Sequence, residues 1–243
     1  MPAKLGEHAA NCLKVELHEH IREALPLESV AISERIFPQQ PRAGLNPYPS
    51  RASLMTHLLL HAAGGMAFRS LRLVQLHDLA LLSAQMTDQD WDEALCAGGT
   101  GDSPWWALPP LHLTARYYRR AVPAHVLSKL ESGCPWLLRA LVLRRTLTDV
   151  SLSYLRISAF PGIEWAQSTS ERVRYVVRRL RPDSEVYEFR THLGQTHPAV
   201  ISSPWDRLSQ SRRLLRWVMG RPTRDHAVFA VRMALDRARP ISQ

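Results

Sequence analysis

The sequence of 243 residues is 45% hydrophobic and 22% charged, which is the balance of an ordinary globular protein large enough to bury a real core. It contains no apolar run near the ~20 residues of a membrane-spanning helix, no apolar N-terminal signal segment, and only three cysteines, none in CxxC spacing. These features argue against a membrane protein, a disulfide scaffold and a zinc site, and they predict a location in the reducing cytoplasm.

The formal net charge is +9, and nearly all of the positive charge is arginine because lysine occurs only at Lys4, Lys14 and Lys129. Abundant Arg, Ala, Leu and Pro with scarce Lys and Asn are typical of a GC-rich coding sequence, whatever the protein does. The charge by itself therefore leaves a nucleic-acid partner open without favouring it.

The N-terminal segment contains the best strand candidate, at residues 14–17, where apolar and polar residues alternate. Residues 38–50 follow with four prolines and one glycine, a composition that excludes a helix and is typical of a loop. We therefore predict two parts, a strand-bearing piece at 1–37 and a helical domain at 50–243.

The chain after this loop has helical periodicity and helix-capping residues. Ser50 is a predicted N-cap for a helix that Gly64-Gly65 ends, and Thr87 with Asp90 resembles a capping box. Helices are predicted over 51–64, 70–85, 87–96, 105–120, 123–132, 135–148, 170–180, 205–219 and 223–239. The predicted fold class is mainly α, a multi-helix domain with a small residual α/β piece of one or two strands at the N-terminus.

Five strings carry a resemblance to a known family. They are WWALPPLHLTARYYRRAVP at 105–123, CPWLLRALVLRRTLTDVSLSYLRISAFPGIEW at 134–165, ERVRYVVRRLRP at 171–182, VELHEHI at 15–21 and HLLLHAA at 57–63. Together they resemble the uncharacterised bacterial nucleotidyltransferase family, over most of the chain from about Val15 onward. In that family an N-terminal catalytic lobe precedes a long helical region, and the resemblance covers only the second half. It implies that residues 1–37 are a remnant of the catalytic lobe and that 50–243 are the helical domain.

The resemblance implies a metal-dependent reaction whose main ligands are absent from this sequence. Nucleotidyl transfer uses two divalent ions held by carboxylates, which the family supplies from a Gly-Ser turn, an Asp-x-Asp strand and a third carboxylate on a neighbouring strand. Gly64-Gly65 is followed by Asp78, but position 80 is Ala and Asp78 lies in a helical pattern. The Asp-x-Asp pair is therefore missing.

By resemblance, the VELH string at 15–18 corresponds to the strand of the third carboxylate, which makes Glu16 the candidate metal ligand and catalytic residue. Alternatively, Glu16 is a solvent-facing residue on an edge strand. One carboxylate cannot hold two Mg²⁺ ions, since each Mg²⁺ requires several oxygen ligands. Mg²⁺ and NTP are therefore expected as cofactors only if the missing catalytic lobe is supplied.

Three side chains on two predicted helices are further candidates. Asp78 lies inside an apolar helix, so it is expected either to be buried and paired with an arginine or, by resemblance, to deprotonate the acceptor hydroxyl. His57 and His61 share a helix face at the i, i+4 spacing of metal sites. Because they lie beside core-facing leucines, buried and hydrogen-bonded histidines are the simpler interpretation.

An arginine-rich helix over 170–180, with Ser170 as its predicted cap, offers a possible phosphate contact. Arg174, Arg178 and Arg181 share one face that could bind a nucleotide or nucleic acid, opposite a predicted buried stripe of Val173, Val176, Val177 and Leu180. The alternative is a solvated face paired with Glu171 or Asp183. The seven tryptophans are scattered and are expected to anchor the core and interfaces.

These observations predict an incomplete nucleotidyltransferase-family protein that is inactive on its own, so its status as an enzyme is uncertain. Two other interpretations remain: an arginine-rich helical module that binds nucleic acid or a partner protein, and assembly with a separate chain that carries the catalytic lobe. No membrane partner is expected.

Overall fold

The computed structural model describes residues 22–25, 29–33, 48–96, 104–151, 160, 162–181 and 209–220. Within these residues the protein is mainly α-helical, which confirms the predicted fold class. The predicted strand at 14–17 and the predicted helix at 223–239 lie outside the described residues.

A short antiparallel hairpin forms the strand-bearing piece. Strand β1 (Arg22–Ala24) pairs with β2 (Ser29–Ala31), and Glu23 at the centre of β1 lies opposite Val30. The side chains that flank the hairpin, Leu25 and Ile32, are buried in the same core as the helices. The hairpin is therefore joined to the helical part by apolar packing.

Nine α-helices and two 3₁₀ turns follow in the part of the chain that the structure describes. The helices are α1 (Arg51–Phe68), α2 (Leu73–Ser83), α3 (Asp88–Cys96), α4 (Leu108–Tyr117), α5 (Ala124–Glu131), α6 (Trp136–Val142), α7 (Leu147–Val150), α8 (Thr169–Leu180) and α9 (Gln210–Met219). The 3₁₀ turns are Trp105–Ala107, directly before α4, and Ile163–Trp165, shortly before α8.

Helix α1 is the centre of the fold. It contacts β1, α2, α3, α4 and α7, and ten of its residues are buried. Leu59 and Leu60 are almost fully inaccessible to solvent. Because burying one such side chain stabilises a fold by roughly 1.5–3 kcal/mol, α1 supplies much of the apolar driving force.

The two ends of α1 test the predicted caps. Ser50 accepts a hydrogen bond from the Ser53 backbone N–H at 3.1 Å, which confirms the predicted N-cap. The predicted stop at Gly64-Gly65 is wrong, because α1 continues to Phe68 and ends where Arg69 takes a left-handed conformation with φ 57°. A β-carbon at Gly65 would lie 3.5 Å from the Leu71 backbone, which is an ordinary van der Waals distance.

The helix capping of α3 and α8 was predicted with mixed success. The backbone N–H of Thr87 donates to Asp90 at 2.8 Å, and the Asp90 N–H donates back to the Thr87 hydroxyl, which confirms the capping box. Helix α8 is capped by Ser168, which accepts from the Glu171 N–H, and not by the predicted Ser170.

Among the described helices, none combines the length and apolarity needed to cross a bilayer.

Candidate functional site

Two histidines of α1 bind one carboxylate of the hairpin. The Glu23 Oε1 atom of β1 lies 3.2 Å from His57 Nε2 and 3.2 Å from His61 Nδ1. The i, i+4 spacing places both imidazoles on one side of α1, one turn apart. The side chains of Glu23 and His57 are only 14% and 18% exposed, whereas that of His61 is 52% exposed.

Tyr48 extends this group from the loop before α1. Its hydroxyl lies 2.7 Å from His57 Nδ1, on the other side of the ring from Glu23. When His57 is neutral with its proton on Nε2, Tyr48 donates to Nδ1 and Nε2–H donates to Glu23. Glu23, Tyr48, His57 and His61, here called the histidine cluster, thus form a continuous hydrogen-bonded path for a proton.

The electrostatics of the histidine cluster favour a charged carboxylate. Burial would raise the pKa of Glu23, but the hydrogen bonds from His57 and His61 outweigh it and lower that pKa to about 2. The hydrogen bond to Glu23 raises the pKa of His61, against the opposing effects of burial and of the nearby Arg72 guanidinium. Burial and the Glu23 charge raise the pKa of the Tyr48 hydroxyl.

The histidine cluster can hold and exchange protons, but it is not arranged as a metal centre. No group of three or more His, Cys, Asp or Glu side chains could hold a metal ion within the residues that the structure describes. The Glu23 carboxylate is instead occupied by two imidazole groups. Glu16, the predicted metal ligand, lies outside the described residues.

The prediction for the histidines is partly confirmed. Both are hydrogen-bonded, as expected, but His61 is half exposed and not buried. Sequence reasoning missed Glu23 and Tyr48. Glu23 lies 34 positions before His57 in the chain, and no local pattern indicates such a distant contact.

Asp78 lies on α2 with its side chain partly buried. The expected pairing of Asp78 with an arginine is not found, because no hydrogen bond or ion pair joins it to any described residue. The apolar pattern around Asp78 reflects the buried leucines of α2, which are Leu76, Leu79 and Leu82. Its oxygens are free to contact another molecule.

The predicted phosphate-binding arginines lie at the protein surface. Arg174, Arg178 and Arg181 are all exposed on α8 or at its C-terminal end. The suggested pairing with Glu171 is not found, because the Glu171 carboxylate accepts the Gln167 backbone N–H at 2.8 Å and so caps α8. The other suggested partner, Asp183, is not among the described residues.

The predicted buried stripe of α8 is wrong. Val173 is 58% exposed, Val177 52% and Leu180 41%, and α8 buries none of its residues. Helical periodicity identifies residues that share a face but cannot show whether another element covers that face. Partial burial lowers the pKa of Arg179 on α8, and the positive charge of Arg213 on α9 lowers it further. Because such an effect requires the two guanidinium groups to be near each other, α9 lies close to α8 at this point.

The geometry thus defines one built polar site, the histidine cluster, and one exposed basic surface on α8. Comparisons of the chain with known protein families, with curated proteins and with solved structures find no match. Function therefore has to be inferred from the residues themselves.

Proposed function

We propose that the chain is the helical, acceptor-side part of a nucleotidyltransferase-like enzyme, active when joined to a catalytic lobe that carries a Gly-Ser turn and an Asp-x-Asp strand. One observation carries this proposal. The VELHEHI string at 15–21 leads directly into β1, and Glu23 of β1 is bound by the two histidines of the HLLLHAA string at 57–63. Glu23, two positions after the first of these strings, thus contacts the second string through its side chain.

The proposed reaction transfers a nucleoside monophosphate from an NTP to an acceptor hydroxyl. The acceptor oxygen forms a bond to the α-phosphorus, the bond from that phosphorus to the bridging oxygen breaks, and pyrophosphate leaves. Asp78 takes the acceptor proton, and its freedom from ion pairs within the described residues supports this role. Glu16 and the carboxylates of the lobe would hold Mg²⁺, which stabilises the phosphate charge.

The proposed partner is therefore a separate chain, or another segment, that carries the catalytic lobe. The proposed location is the cytoplasm, and the free thiols of Cys96 and Cys134 support a reducing compartment.

The test is reconstitution with the polypeptide encoded directly upstream of this chain. The two are expressed together and supplied with Mg²⁺, each α-³²P-labelled NTP and a small-molecule and macromolecule extract as acceptor source. Label should move to an acceptor only when both polypeptides are present. Glu16→Gln should abolish the transfer, whereas Glu19→Gln, a matched loss of charge in the same string, should preserve it.

Two results would refute this proposal. One is Mg²⁺-dependent pyrophosphate release by the purified chain alone, which would mean that no further lobe is needed. The other is an upstream polypeptide that carries the Gly-Ser turn and Asp-x-Asp strand and yet gives no label transfer with any NTP.

A second candidate function is binding of single-stranded nucleic acid by an arginine surface, defined as Arg174, Arg178 and Arg181 of α8 with Arg212 and Arg216 of α9. All five side chains are exposed. No described carboxylate pairs with any of them, so their guanidinium groups are available to phosphates.

This second function is tested by RNA binding at several salt concentrations. In a plot of the logarithm of the binding constant against the logarithm of the salt concentration, three phosphate contacts give a slope of about −2, at roughly −0.7 for each phosphate of a single strand. Changing the three α8 arginines to Gln should make the slope less steep by about that amount, since only Arg212 and Arg216 of the arginine surface then remain. A control variant with the same loss of charge elsewhere, R119Q/R120Q/R144Q, should keep the wild-type salt slope. If both variants lose RNA binding equally, net charge alone causes the binding.

A further inference from the structure

A cavity lies between α4, the end of α5 and α6, away from the histidine cluster. Its volume is about 360 Å³, which is at the lower end of the size of small-molecule sites. It is lined by Leu108, His112, Glu131, Trp136, Arg139, Ala140, Val142 and Leu143. Leu108 and Val142 are buried, so they form an apolar floor, whereas Glu131 and Arg139 are exposed.

Trp136 is the largest group in this cavity, and it is unusually open to solvent. Its side chain is 64% exposed, whereas Trp91 and Trp165 are buried in the core. The guanidinium carbon of Arg172, which does not line the cavity, lies 5.7 Å from the centre of the Trp136 ring. This cation–π contact holds the indole, which also lines the cavity and offers a flat ligand an aromatic surface.

The polar groups beside Trp136 have complementary hydrogen-bonding character. Arg139 donates from Nη1 to the Glu131 backbone oxygen at 3.2 Å, which fixes its guanidinium at the cavity and leaves further N–H donors. The Glu131 carboxylate accepts no hydrogen bond from any described residue. Burial lowers the pKa of His112, so at neutral pH its imidazole is an uncharged donor and acceptor.

We propose that this cavity binds a guanine base, stacked on Trp136 with its hydrogen-bonding edge toward Glu131 and Arg139. The N1–H and N2–H₂ groups of guanine are adjacent donors, which suit an acceptor-only carboxylate such as Glu131. The neighbouring O6 atom accepts from Arg139, because an arginine fork is the usual partner of guanine oxygen and N7 acceptors. Adenine fits less well, since its N1 atom would present a lone pair to the carboxylate.

This inference is independent of the proposed nucleotidyl transfer, because it concerns binding by the helical part alone and needs neither Mg²⁺ nor a catalytic lobe. The same base could come from a free nucleotide or from an RNA strand. The experiment therefore titrates the purified full chain with GMP, with AMP and with a short single-stranded oligo(G) RNA, and follows binding by calorimetry.

We expect saturable binding of GMP and at least about tenfold weaker binding of AMP. Trp136→Leu should weaken GMP binding by about fivefold or more, which is the effect of losing the stacking of one base on an aromatic side chain. The matched control is Trp217→Leu, which removes another partly exposed indole on α9 and should leave the affinity unchanged. Circular dichroism confirms that each variant is folded.

The variant Glu131→Gln tests the base preference without touching the stacking ring. It should weaken GMP binding and reduce the difference between GMP and AMP, because an amide presents only one acceptor to the two guanine donors. If GMP binds as tightly as oligo(G), the ligand is a free nucleotide. If oligo(G) binds much more tightly and Trp136→Leu abolishes the binding of oligo(G), the ligand is a guanine in RNA.

Three results would overturn the proposal. One is a folded chain that binds neither GMP nor oligo(G) at millimolar concentration. Another is GMP binding that Trp136→Leu leaves unchanged, which would place the ligand elsewhere. The third is equal affinity for GMP and AMP together with no effect of Glu131→Gln.

Discussion

The carboxylate of Glu23 should stabilise the fold measurably, and Glu23→Gln is the variant that tests this. The pKa of Glu23 falls from its ordinary 4.5 to about 2. At ~1.36 kcal/mol for each pH unit, this difference corresponds to roughly 3 kcal/mol of stability at neutral pH. Because the amide of Gln still accepts one hydrogen bond from a histidine, we expect the variant to lose about 2 kcal/mol.

The stability that Glu23→Gln loses should depend on pH, and the pKa shifts of Glu23 and His61 determine how. The Glu23 contribution is present above its unfolded pKa of 4.5 and is lost as the pH falls through about 2. The His61 contribution is fully present below its unfolded pKa of 6.5 and is lost as the pH rises through its raised folded value. Both contributions are therefore complete between 4.5 and 6.5, and the effect of Glu23→Gln should be largest there.

The assay is urea unfolding of the wild type and Glu23→Gln, followed by circular dichroism at about pH 5.5 and about pH 8.5. Asp88→Asn is the matched control, since the Asp88 side chain is 90% exposed and lies 3.6 Å from His125, and it should change the free energy of unfolding by less than ~0.5 kcal/mol. A Glu23→Gln loss that is equal at the two pH values, or no larger than the control, would refute the reasoning.

Three further substitutions have expected outcomes in the same assay. Gly65→Ala should stabilise the protein by about 0.5–1 kcal/mol, since Gly65 lies inside α1 and a β-carbon at 3.5 Å from Leu71 is an ordinary contact. A loss of stability would mean that the added methyl group clashes with Leu71. Glu164→Gln should cost about 2 kcal/mol, because the amide still accepts a hydrogen bond but removes the buried negative charge that pairs with the guanidinium of Arg145. Asp78→Asn should change stability by less than ~0.5 kcal/mol, and a larger loss would reveal a structural ion pair.

Much of the helical architecture follows from local sequence signals. Ser50 and the Thr87–Asp90 capping box start α1 and α3 where expected, because a cap depends on residues only three positions apart. The stop predicted at Gly64-Gly65 is wrong, because glycine is common at a helix end but does not force one. Helix α1 continues through both glycines to Phe68 and also buries Met66 and Ala67 in the core, a contribution that local signals do not show.

The candidate site was only half visible in the sequence. The i, i+4 spacing of His57 and His61 correctly predicts that they share a face and form hydrogen bonds. Their partner Glu23 comes from the hairpin, and Tyr48 comes from the proline-rich loop. Contacts between distant segments depend on how the hairpin packs onto α1, which local periodicity does not encode.

The position of the histidine cluster assigns it a positioning role in the proposed enzyme. The Glu23 carboxylate is held by the imidazoles of His57 and His61. It does fix β1 against α1, and β1 directly follows the segment that contains Glu16. Loss of the Glu23 contacts would therefore loosen β1 from α1, and in the proposed enzyme we expect this to weaken transfer. The loss of transfer activity in Glu23→Gln, relative to the wild type, should accordingly be smallest in the pH range where the histidine cluster contributes least to stability.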